Sequence, residues 1–248
     1  MKALITGASS GIGKDMAIIL SDLGYDLVLV ARRKEKLEEL RKQLKTNIEI
    51  CVMDISKEEN CYELYNKHSD IDILINNAGF GLFGEFNEID IKKELQMIDT
   101  NINAVHILTK LYLNEMIKKD NGYILNTAST AGFFSGPLMA TYYATKGYVL
   151  KLTEAINEEL KHKKSRVYVG ALCPGPVNTE FNDVANVKFA VKALSSKYVA
   201  SYAIKKMFKR KIIIIPGISN RLLIFCNRIL PRNLILKINY YVQRKKEK

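Results

Sequence analysis

Short apolar runs recur along the chain and alternate with helical patterns. The runs are nearly uninterrupted, as in Leu27-Val28-Leu29-Val30, and such continuity is typical of strands that are covered on both faces. They predict seven strands, at residues 2–6, 26–31, 49–54, 71–76, 122–128, 167–172 and 211–216. Apolar residues at helical spacing predict helices between them, at residues 12–23, 33–45, 57–68, 88–118, 140–163 and 196–209.

Alternating strands and helices predict an α/β fold with a parallel sheet and helices on both sides. We expect a single doubly wound domain with about seven strands. Ligands of such sheets bind at the carboxyl ends of the strands, so motifs at those ends are the candidates for function.

Composition supports an ordinary globular protein. The chain has 248 residues, of which 48% are apolar and 26% charged, which excludes collagen-like and disordered chains. Cys51, Cys61, Cys173 and Cys226 form no CxxC pair and have no histidine at metal-ligand spacing, so we expect reduced thiols and no metal site. Because the first strand follows Met1 almost at once, we expect no secretory leader and a cytoplasmic protein.

A glycine-rich segment joins the first strand to the first helix, with the sequence Thr6-Gly7-Ala8-Ser9-Ser10-Gly11-Ile12-Gly13. Glycine lets the backbone turn tightly and lets a pyrophosphate approach it, and the helix that follows offers free N–H groups to phosphate oxygens. Three glycines also occur in purely structural turns, but this position favours a dinucleotide site. The candidate contacts are Gly7, Ser9, Ser10, Gly11, Ile12 and Gly13.

The end of the second strand indicates which dinucleotide binds. A site selective for NAD(H) carries an acid there to hold the ribose 2′-hydroxyl, whereas this chain has Arg32 and Arg33. Guanidinium groups suit a 2′-phosphate. The sequence therefore predicts NADP(H) in preference to NAD(H), with Arg32 as the main contact; Arg33 is either a second contact or the solvated start of a helix.

Tyr142 and Lys146 lie four residues apart in a helical pattern, so they share a helix face. An ammonium near a phenol favours the phenolate and lowers its pKa toward the working range of an acid–base catalyst. Tyr143 has the wrong spacing to Lys146 and is expected to pack. A Tyr–Lys pair alone is weak evidence, but Ser129 stands 13 residues before Tyr142, at the end of a predicted strand.

These motifs occur together in an order that resembles the classical short-chain dehydrogenases/reductases. The order is TGxxxGxG, Asn76-Asn77-Ala78-Gly79, Asn101, Ser129, the YxxxK of Tyr142 and Lys146, and Pro174-Gly175-Pro176-Val177-Asn178-Thr179. The resemblance covers roughly residues 2–216. It implies a Rossmann-like oxidoreductase that interconverts a carbonyl and an alcohol with a nicotinamide dinucleotide, for which the two arginines predict NADP(H).

The resemblance also implies a role for each residue. Tyr142 is the general acid/base, Ser129 orients the substrate oxygen, Lys146 lowers the tyrosine pKa and binds the nicotinamide ribose, and Asn101 supports a proton relay. Further cofactor contacts are implied at Asp54, Ile55, Asn76, Asn77, Ala78, Gly79, Pro174, Gly175, Val177 and Thr179. The family implies a small-molecule carbonyl or alcohol substrate and a homodimer or homotetramer. Leu82, Phe83, Phe133, Phe134 and Met139 suggest that the pocket is apolar.

Residues 217–248 form a basic amphipathic extension after the predicted domain of residues 1–216. Residues 1–204 are electrically neutral, and the whole net charge of +12 lies in residues 205–248. Ser219 or Asn220 is expected to cap a helix that ends near Leu230, with a second helix after Pro231. The extension is expected either to pack on the fold or a partner subunit, or to lie on a membrane surface. Nucleic-acid binding is not expected, because no recognition motif accompanies the charge.

Two functions therefore remain open. The intact Ser129, Tyr142 and Lys146 favour an active oxidoreductase. The segregated charge is also compatible with a catalytically idle NADP(H)-binding scaffold that acts through its tail at a membrane or on a partner protein.

Overall fold

Seven parallel strands form the central sheet of the computed structural model, which describes residues 1–185 and 193–244. In chain order they are β1 Lys2–Thr6, β2 Asp26–Ala31, β3 Ile48–Val52, β4 Ile73–Asn76, β5 Tyr123–Thr127, β6 Tyr168–Leu172 and β9 Ile213–Ile214. Two shorter strands, β7 Val177–Asn178 and β8 Leu194–Ser195, pair separately. The order β3-β2-β1-β4-β5-β6-β9 reverses direction between β1 and β4, as expected for a doubly wound sheet.

Ten α-helices accompany the strands in the described residues. They are α1 Gly11–Asp22, α2 Lys34–Arg41, α3 Glu58–Lys67, α4 Ile91–Ile98, α5 Ala104–Lys119, α6 Ala140–His162, α7 Phe181–Val184, α8 Ser196–Phe208, α9 Ile218–Ile229 and α10 Arg232–Arg244. A π-helical turn, Asp99–Asn103, joins α4 to α5, and a 3₁₀ turn, Thr130–Phe133, follows β5.

The sheet separates two apolar layers because successive side chains of a strand point to opposite faces. Ile5 of β1 belongs to the layer that includes α1 and α8, whereas its neighbour Leu4 belongs to the layer that includes α3 and α5. Strands that are buried on both faces favour apolar residues at nearly every position, which explains the long apolar runs in the sequence. Each fully buried leucine or isoleucine stabilises the fold by about 1.5–3 kcal/mol relative to an exposed one.

The seven-stranded α/β sheet predicted from the sequence is confirmed, with differences in detail. The pattern at residues 88–118 is two helices joined by the π-helical turn, and the last strand is shorter than predicted. The expected cap of α9 was wrong. This helix begins at Ile218 after Gly217, whose φ of 85° only glycine adopts easily, and the Asn220 amide donates to the Pro216 carbonyl at 2.7 Å. The division of the chain after Pro216 stays a prediction.

Candidate active site

The glycine loop between β1 and α1 packs too closely for side chains. Gly7 and Gly11 have φ values of 67° and 54°. A Cβ on Gly13 would lie 2.4 Å from the Gly7 oxygen, and one on Gly11 would lie 2.9 Å from Cγ2 of Thr179. The glycines therefore fix the shape of the loop, and they leave its backbone accessible where α1 begins.

The end of β4 is fastened to this loop by hydrogen bonds. Asn77 donates from its side chain to the Thr6 and Gly7 carbonyls at 3.2 and 3.3 Å. The backbone N–H groups of Asn77 and Ala78 both donate to the Thr6 hydroxyl, at 3.0 and 3.1 Å. One wall of the site is thus built jointly by the ends of β1 and β4.

Tyr142 and Lys146 lie one turn apart on α6, and both are buried. Lys146 donates from Nζ to the Thr127 carbonyl at 2.8 Å, and Nζ lies 6.0 Å from the centroid of the Tyr142 ring. Burial lowers the pKa of Lys146 to about 8. Burial also raises the pKa of Tyr142, and the Ser129 hydroxyl opposes that rise. Tyr142 therefore holds its proton at neutral pH and can donate it.

Ser129 sits directly after β5, where its hydroxyl is anchored from two sides. Its Oγ donates to the Pro174 carbonyl at 3.3 Å and accepts the Ala131 N–H at 3.1 Å. These bonds hold the hydroxyl against the same cavity that Tyr142 and Lys146 line. The three side chains predicted to act together are thus brought together.

Asn101 lies in the π-helical turn and is completely buried. Its amide donates to the Phe80 carbonyl at 2.9 Å and the Thr145 hydroxyl at 3.1 Å, and its oxygen accepts the Phe80 N–H at 3.1 Å. A Cβ on Gly79 would lie 2.8 Å from Asn101 Oδ1 and 3.3 Å from Lys146 Nζ. Glycine at position 79 thus leaves the narrow space between these two side chains open. Asn101 stands behind the cavity wall rather than in it.

The two arginines after β2 have different surroundings. Arg33 donates to the Ser9 and Ser10 hydroxyls at 3.0 Å each and forms an ion pair with Glu180 at 2.7 Å. Arg32 faces Asp54 at 3.8 Å, and its side chain is 64% exposed. Hydrogen bonds from Lys36 and then Arg33 lower the pKa of Glu180 to about 2, so this carboxylate is ionised throughout the neutral range.

A cavity of about 410 Å³ connects these parts at the carboxyl ends of the strands. The predicted site residues that line it are Gly7, Ser9, Ser10, Gly11, Ile12, Arg32, Arg33, Asp54, Ile55, Asn77, Ala78, Gly79, Ser129, Tyr142, Lys146, Pro174, Gly175, Val177 and Thr179. Gly13, Asn76 and Asn101 do not line it. The Asn76 amide instead donates to the buried Asn126 and Thr109 side chains, at 2.9 and 3.1 Å.

The sequence analysis missed several lining residues. Glu180 and Thr127 carry no motif of their own, and they reach the cavity because β5 and the segment after β6 end beside it. Phe80, Met139, Tyr143 and Phe181 form an apolar wall with Tyr142. Of the five apolar residues expected at the pocket, Met139 lines the cavity, whereas Leu82, Phe83, Phe133 and Phe134 do not. Tyr143 contributes to this wall in addition to packing. In the described residues, no group of three or more histidine, cysteine, aspartate or glutamate side chains could hold a metal ion.

Known proteins are similar to this chain in sequence and fold. Residues 1–190 match the sequence model of the family described as short chain dehydrogenase. A 3-oxoacyl-(acyl-carrier-protein) reductase of Rickettsia prowazekii is 34% identical over 189 residues, which are 75% of this chain and 76% of the relative.

Solved structures agree with this assignment. A short-chain dehydrogenase from Sphingobium yanoikuyae in complex with NADPH is 29% identical, with a TM-score of 0.82 over 92% of this chain and 93% of that one. The bulky-bulky ketone specific alcohol dehydrogenase of Comamonas testosteroni is 28% identical, with a TM-score of 0.78 over 92% of each chain. The fold and site define an oxidoreductase that uses a nicotinamide dinucleotide. The chain belongs to the short-chain dehydrogenase family.

The residues present fit the NAD(P)(H) cofactor of this family. The glycine loop leaves backbone N–H groups at the start of α1 open to the cavity, where a pyrophosphate accepts hydrogen bonds. Two buried polar atoms that belong to lining residues, Thr127 Oγ1 and Asn182 Oδ1, have no hydrogen-bond partner among the described residues. Buried polar groups are normally paired, so these atoms are suited to a polar ligand.

Proposed function

We propose that the protein is an NADP(H)-dependent oxidoreductase that interconverts a ketone or aldehyde and the corresponding alcohol. The observation that carries the proposal is the arrangement of Tyr142, Ser129 and Lys146 around one cavity that also contains the glycine loop. An idle scaffold does not need these three groups together, and in the described residues all three side chains face one open cavity.

The chain's own groups handle the proton. The cofactor, when bound, supplies or accepts the hydride. In the reducing direction, the Tyr142 hydroxyl donates its proton to the substrate oxygen while the Ser129 hydroxyl holds that oxygen by a hydrogen bond. Lys146 binds the nicotinamide ribose, and its ammonium favours the phenolate that Tyr142 becomes. Asn101 supports the path that returns a proton to Tyr142.

The preference for NADP(H) rests on charge. Arg32 and Arg33 follow β2 and line the cavity. Among the described residues, the Arg32 guanidinium forms an ion pair with the Asp54 carboxylate, at the long distance of 3.8 Å. An exposed guanidinium with free donors binds a 2′-phosphate by charge-assisted hydrogen bonds. The NADPH bound to the relative from Sphingobium yanoikuyae supports this choice.

An apolar substrate fits the opposite end of the cavity. Phe80, Met139, Tyr143 and Phe181 surround Tyr142 there. A carbonyl compound with bulky apolar substituents buries those groups against this wall while its oxygen meets Tyr142 and Ser129. The ketone specificity in the name of the Comamonas relative supports the same substrate class. We further propose that the protein is cytoplasmic and forms a homodimer or homotetramer. Light scattering of the purified protein tests the oligomeric state.

Tyr142→Phe tests the proposed chemistry. Purified protein is assayed with NADPH against a panel of apolar ketones and aldehydes, and turnover is compared with that of the variant. The variant keeps the ring and loses only the transferable proton, so we expect turnover to fall by roughly 10²–10⁴-fold while the affinity for NADPH is nearly unchanged.

Tyr143→Phe is the matched control, because Tyr143 lines the same cavity from the next position on α6. Tyr143→Phe should keep most of the turnover rate, although it loses the hydrogen bond from Gln243. Near-normal turnover in Tyr142→Phe, or an equal loss in Tyr143→Phe, contradicts the assignment. A wild-type protein that binds NADPH but reduces no member of the panel favours the scaffold instead.

A further inference from the structure

The two C-terminal helices contact the protein body through their polar side. Asn227 of α9 donates to the Phe133 carbonyl at 2.8 Å, and Asn239 of α10 donates to the Ser135 carbonyl at 2.9 Å. Gln243, which is only 2% exposed, donates to the Tyr143 hydroxyl. The inward side of these helices is thus held by amide groups, together with Ile224 of α9, which is 5% exposed.

The apolar side of both helices faces outward. On α9 the outward residues are Ile218, Leu222, Phe225 and Ile229, with Ile218 83% and Ile229 67% exposed. On α10 they are Leu234, Ile238, Tyr241 and Val242, with Tyr241 65% exposed. We call these eight residues the tail apolar face. A helix on a globular protein normally turns its apolar stripe toward the core, whereas both of these helices turn most of their large apolar residues away from it.

Positive charge borders the tail apolar face. At 100° per residue, Arg221 and Arg228 lie on one flank of the apolar side of α9, and Lys237 and Arg244 lie on one flank of the apolar side of α10. All four residues are exposed. The sequence has no acidic residue from position 205 to 246, and Lys245, Lys246 and Lys248 add further charge at its end.

This combination selects one partner among those that cover apolar surface. A second copy of the chain, paired through the same face, would bring the two sets of arginines and lysines together, which is unfavourable. An anionic bilayer accepts the apolar side chains in its headgroup layer and neutralises the flanking cations. With 12 and 13 residues the helices suit such a position, and none of the helices in the described ranges is long and apolar enough to cross a membrane.

We propose that α9 and α10 form a docking surface for an anionic phospholipid membrane. The helices lie in the interface, with the tail apolar face among the lipids and the amide side on the protein. The attachment is peripheral and reversible, because it combines modest apolar burial with screened charge. It is independent of the proposed catalytic activity.

Co-sedimentation of the full-length protein with vesicles tests this proposal. We expect binding to vesicles of phosphatidylcholine with 30% phosphatidylglycerol, and at least tenfold weaker binding to pure phosphatidylcholine. Raising the salt concentration from about 0.05 to 0.5 M should weaken the binding, since exposed charges are increasingly screened.

Four double variants, in two matched pairs of test and control, separate the apolar and electrostatic contributions. Leu222→Asp with Phe225→Asp should abolish binding, whereas Phe86→Asp with Ile91→Asp, at residues 68% and 62% exposed elsewhere on the surface, should not. Arg228→Gln with Lys237→Gln should weaken binding by about fivefold for each charge. Lys42→Gln with Lys67→Gln, on exposed sites of the neutral part of the chain, removes the same charge and should have little effect.

NADPH binding and circular dichroism verify that each variant is folded, since all the changes are at exposed positions. The proposal is overturned if the wild-type protein ignores anionic vesicles at low salt, or if both members of a matched pair lower binding equally. It is also overturned if Leu222→Asp with Phe225→Asp converts an oligomer to monomers while the wild type does not bind vesicles. That result would assign the tail apolar face to a second copy.

Discussion

Arg32 and Arg33 are neighbours in the sequence, but their guanidinium groups are differently engaged. Arg33 already binds Glu180, Ser9 and Ser10, whereas Arg32 makes one ion pair at 3.8 Å. A guanidinium that must give up existing hydrogen bonds gains less binding free energy from a phosphate than a guanidinium without such partners. Arg32 is therefore expected to contribute more to binding of the 2′-phosphate, and Arg33 to hold the loop.

Arg32→Ala should reduce the preference for NADPH over NADH. A charge-assisted hydrogen bond contributes about 1.5–3 kcal/mol, so the ratio of the two dissociation constants should fall by about 10- to 150-fold. Fluorescence titration with each cofactor measures this ratio. Arg33→Ala should weaken both cofactors more evenly, because it also releases Ser9 and Ser10.

Glu180→Gln should change the preference for NADPH over NADH in the opposite direction. Removing the carboxylate frees Arg33 and Lys36 and removes a negative charge near the 2′-phosphate, so the preference for NADPH should increase.

Unchanged selectivity in the double variant Arg32→Ala with Arg33→Ala would refute the role of both arginines.

Lys146 illustrates how burial changes the charge of a functional group. Its pKa is about 8 in the folded protein, against 10.5 for the free side chain. Between these values the unfolded chain holds a proton that the folded protein has lost. The unfolded state therefore binds more protons, and the contribution of Lys146 to the free energy of unfolding increases as the pH rises from about 8 to 10.5.

Lys146→Met removes this titrating group, so comparison with the wild type should measure the pH-dependent contribution of Lys146 to the free energy of unfolding. We expect the free energy of unfolding of the wild type, relative to the variant, to be flat below pH 8 and to rise by up to about 3 kcal/mol by pH 10.5. Denaturant titrations without cofactor measure both proteins. Tyrosines and cysteines far from position 146 cancel in the difference, whereas Cys173 is coupled to the charge of Lys146. A difference that stays constant from pH 7 to 10.5 would mean that Lys146 keeps its proton when buried.

At the scale of elements, the sequence predicts what lies within one strand or helix and at its ends. Uninterrupted apolar runs identify the strands of a sheet buried on both faces, and the spacing of Tyr142 and Lys146 places them on one side of α6. The π-helical turn at Asp99–Asn103 is not predicted, because the apolar spacing on either side of it is still helical. Such turns often occur at functional sites, and this one carries Asn101.

Contacts between distant elements are the part that the sequence does not reveal. Glu180 meets Arg33 across 147 positions of the chain, and Gln243 meets Tyr143 across 100. Neither residue belongs to a local motif, and only the packing of the folded chain brings Glu180 to the cavity and Gln243 to Tyr143, which lines it. The amphipathic pattern of α9 is visible in the sequence, but a pattern alone does not say which side faces the protein; here the amide side does.

At the scale of the whole molecule, the C-terminal helices join the outer surface to the cavity. Asn227 and Asn239 hold the carbonyls of Phe133 and Ser135, in the segment after β5 that begins with Ser129, and Gln243 holds a lining residue, Tyr143. In the described residues, none of these three amides contacts the glycine loop or the arginines after β2. These three amides thus hold the substrate end of the cavity, while Asn220 of α9 packs against Gly175, a predicted cofactor contact where a Cβ would lie 2.4 Å from Asn220 Oδ1.

Truncation after Pro216 should separate the two ends. We expect the shortened protein to bind NADPH within about threefold of the wild type, because β1 to β6 and the glycine loop remain intact. Its kcat/KM for an apolar ketone should fall by roughly tenfold or more, mainly through KM, since three hydrogen bonds worth about 0.5–1.5 kcal/mol each no longer hold the cavity rim. The full-length triple variant Asn227→Ala, Asn239→Ala and Gln243→Ala should show a similar rise in KM while it keeps the tail apolar face. A triple variant with normal KM would show that the tail does not shape the cavity, and loss of NADPH binding on truncation would show that the fold of residues 1–216 needs its C-terminal helices.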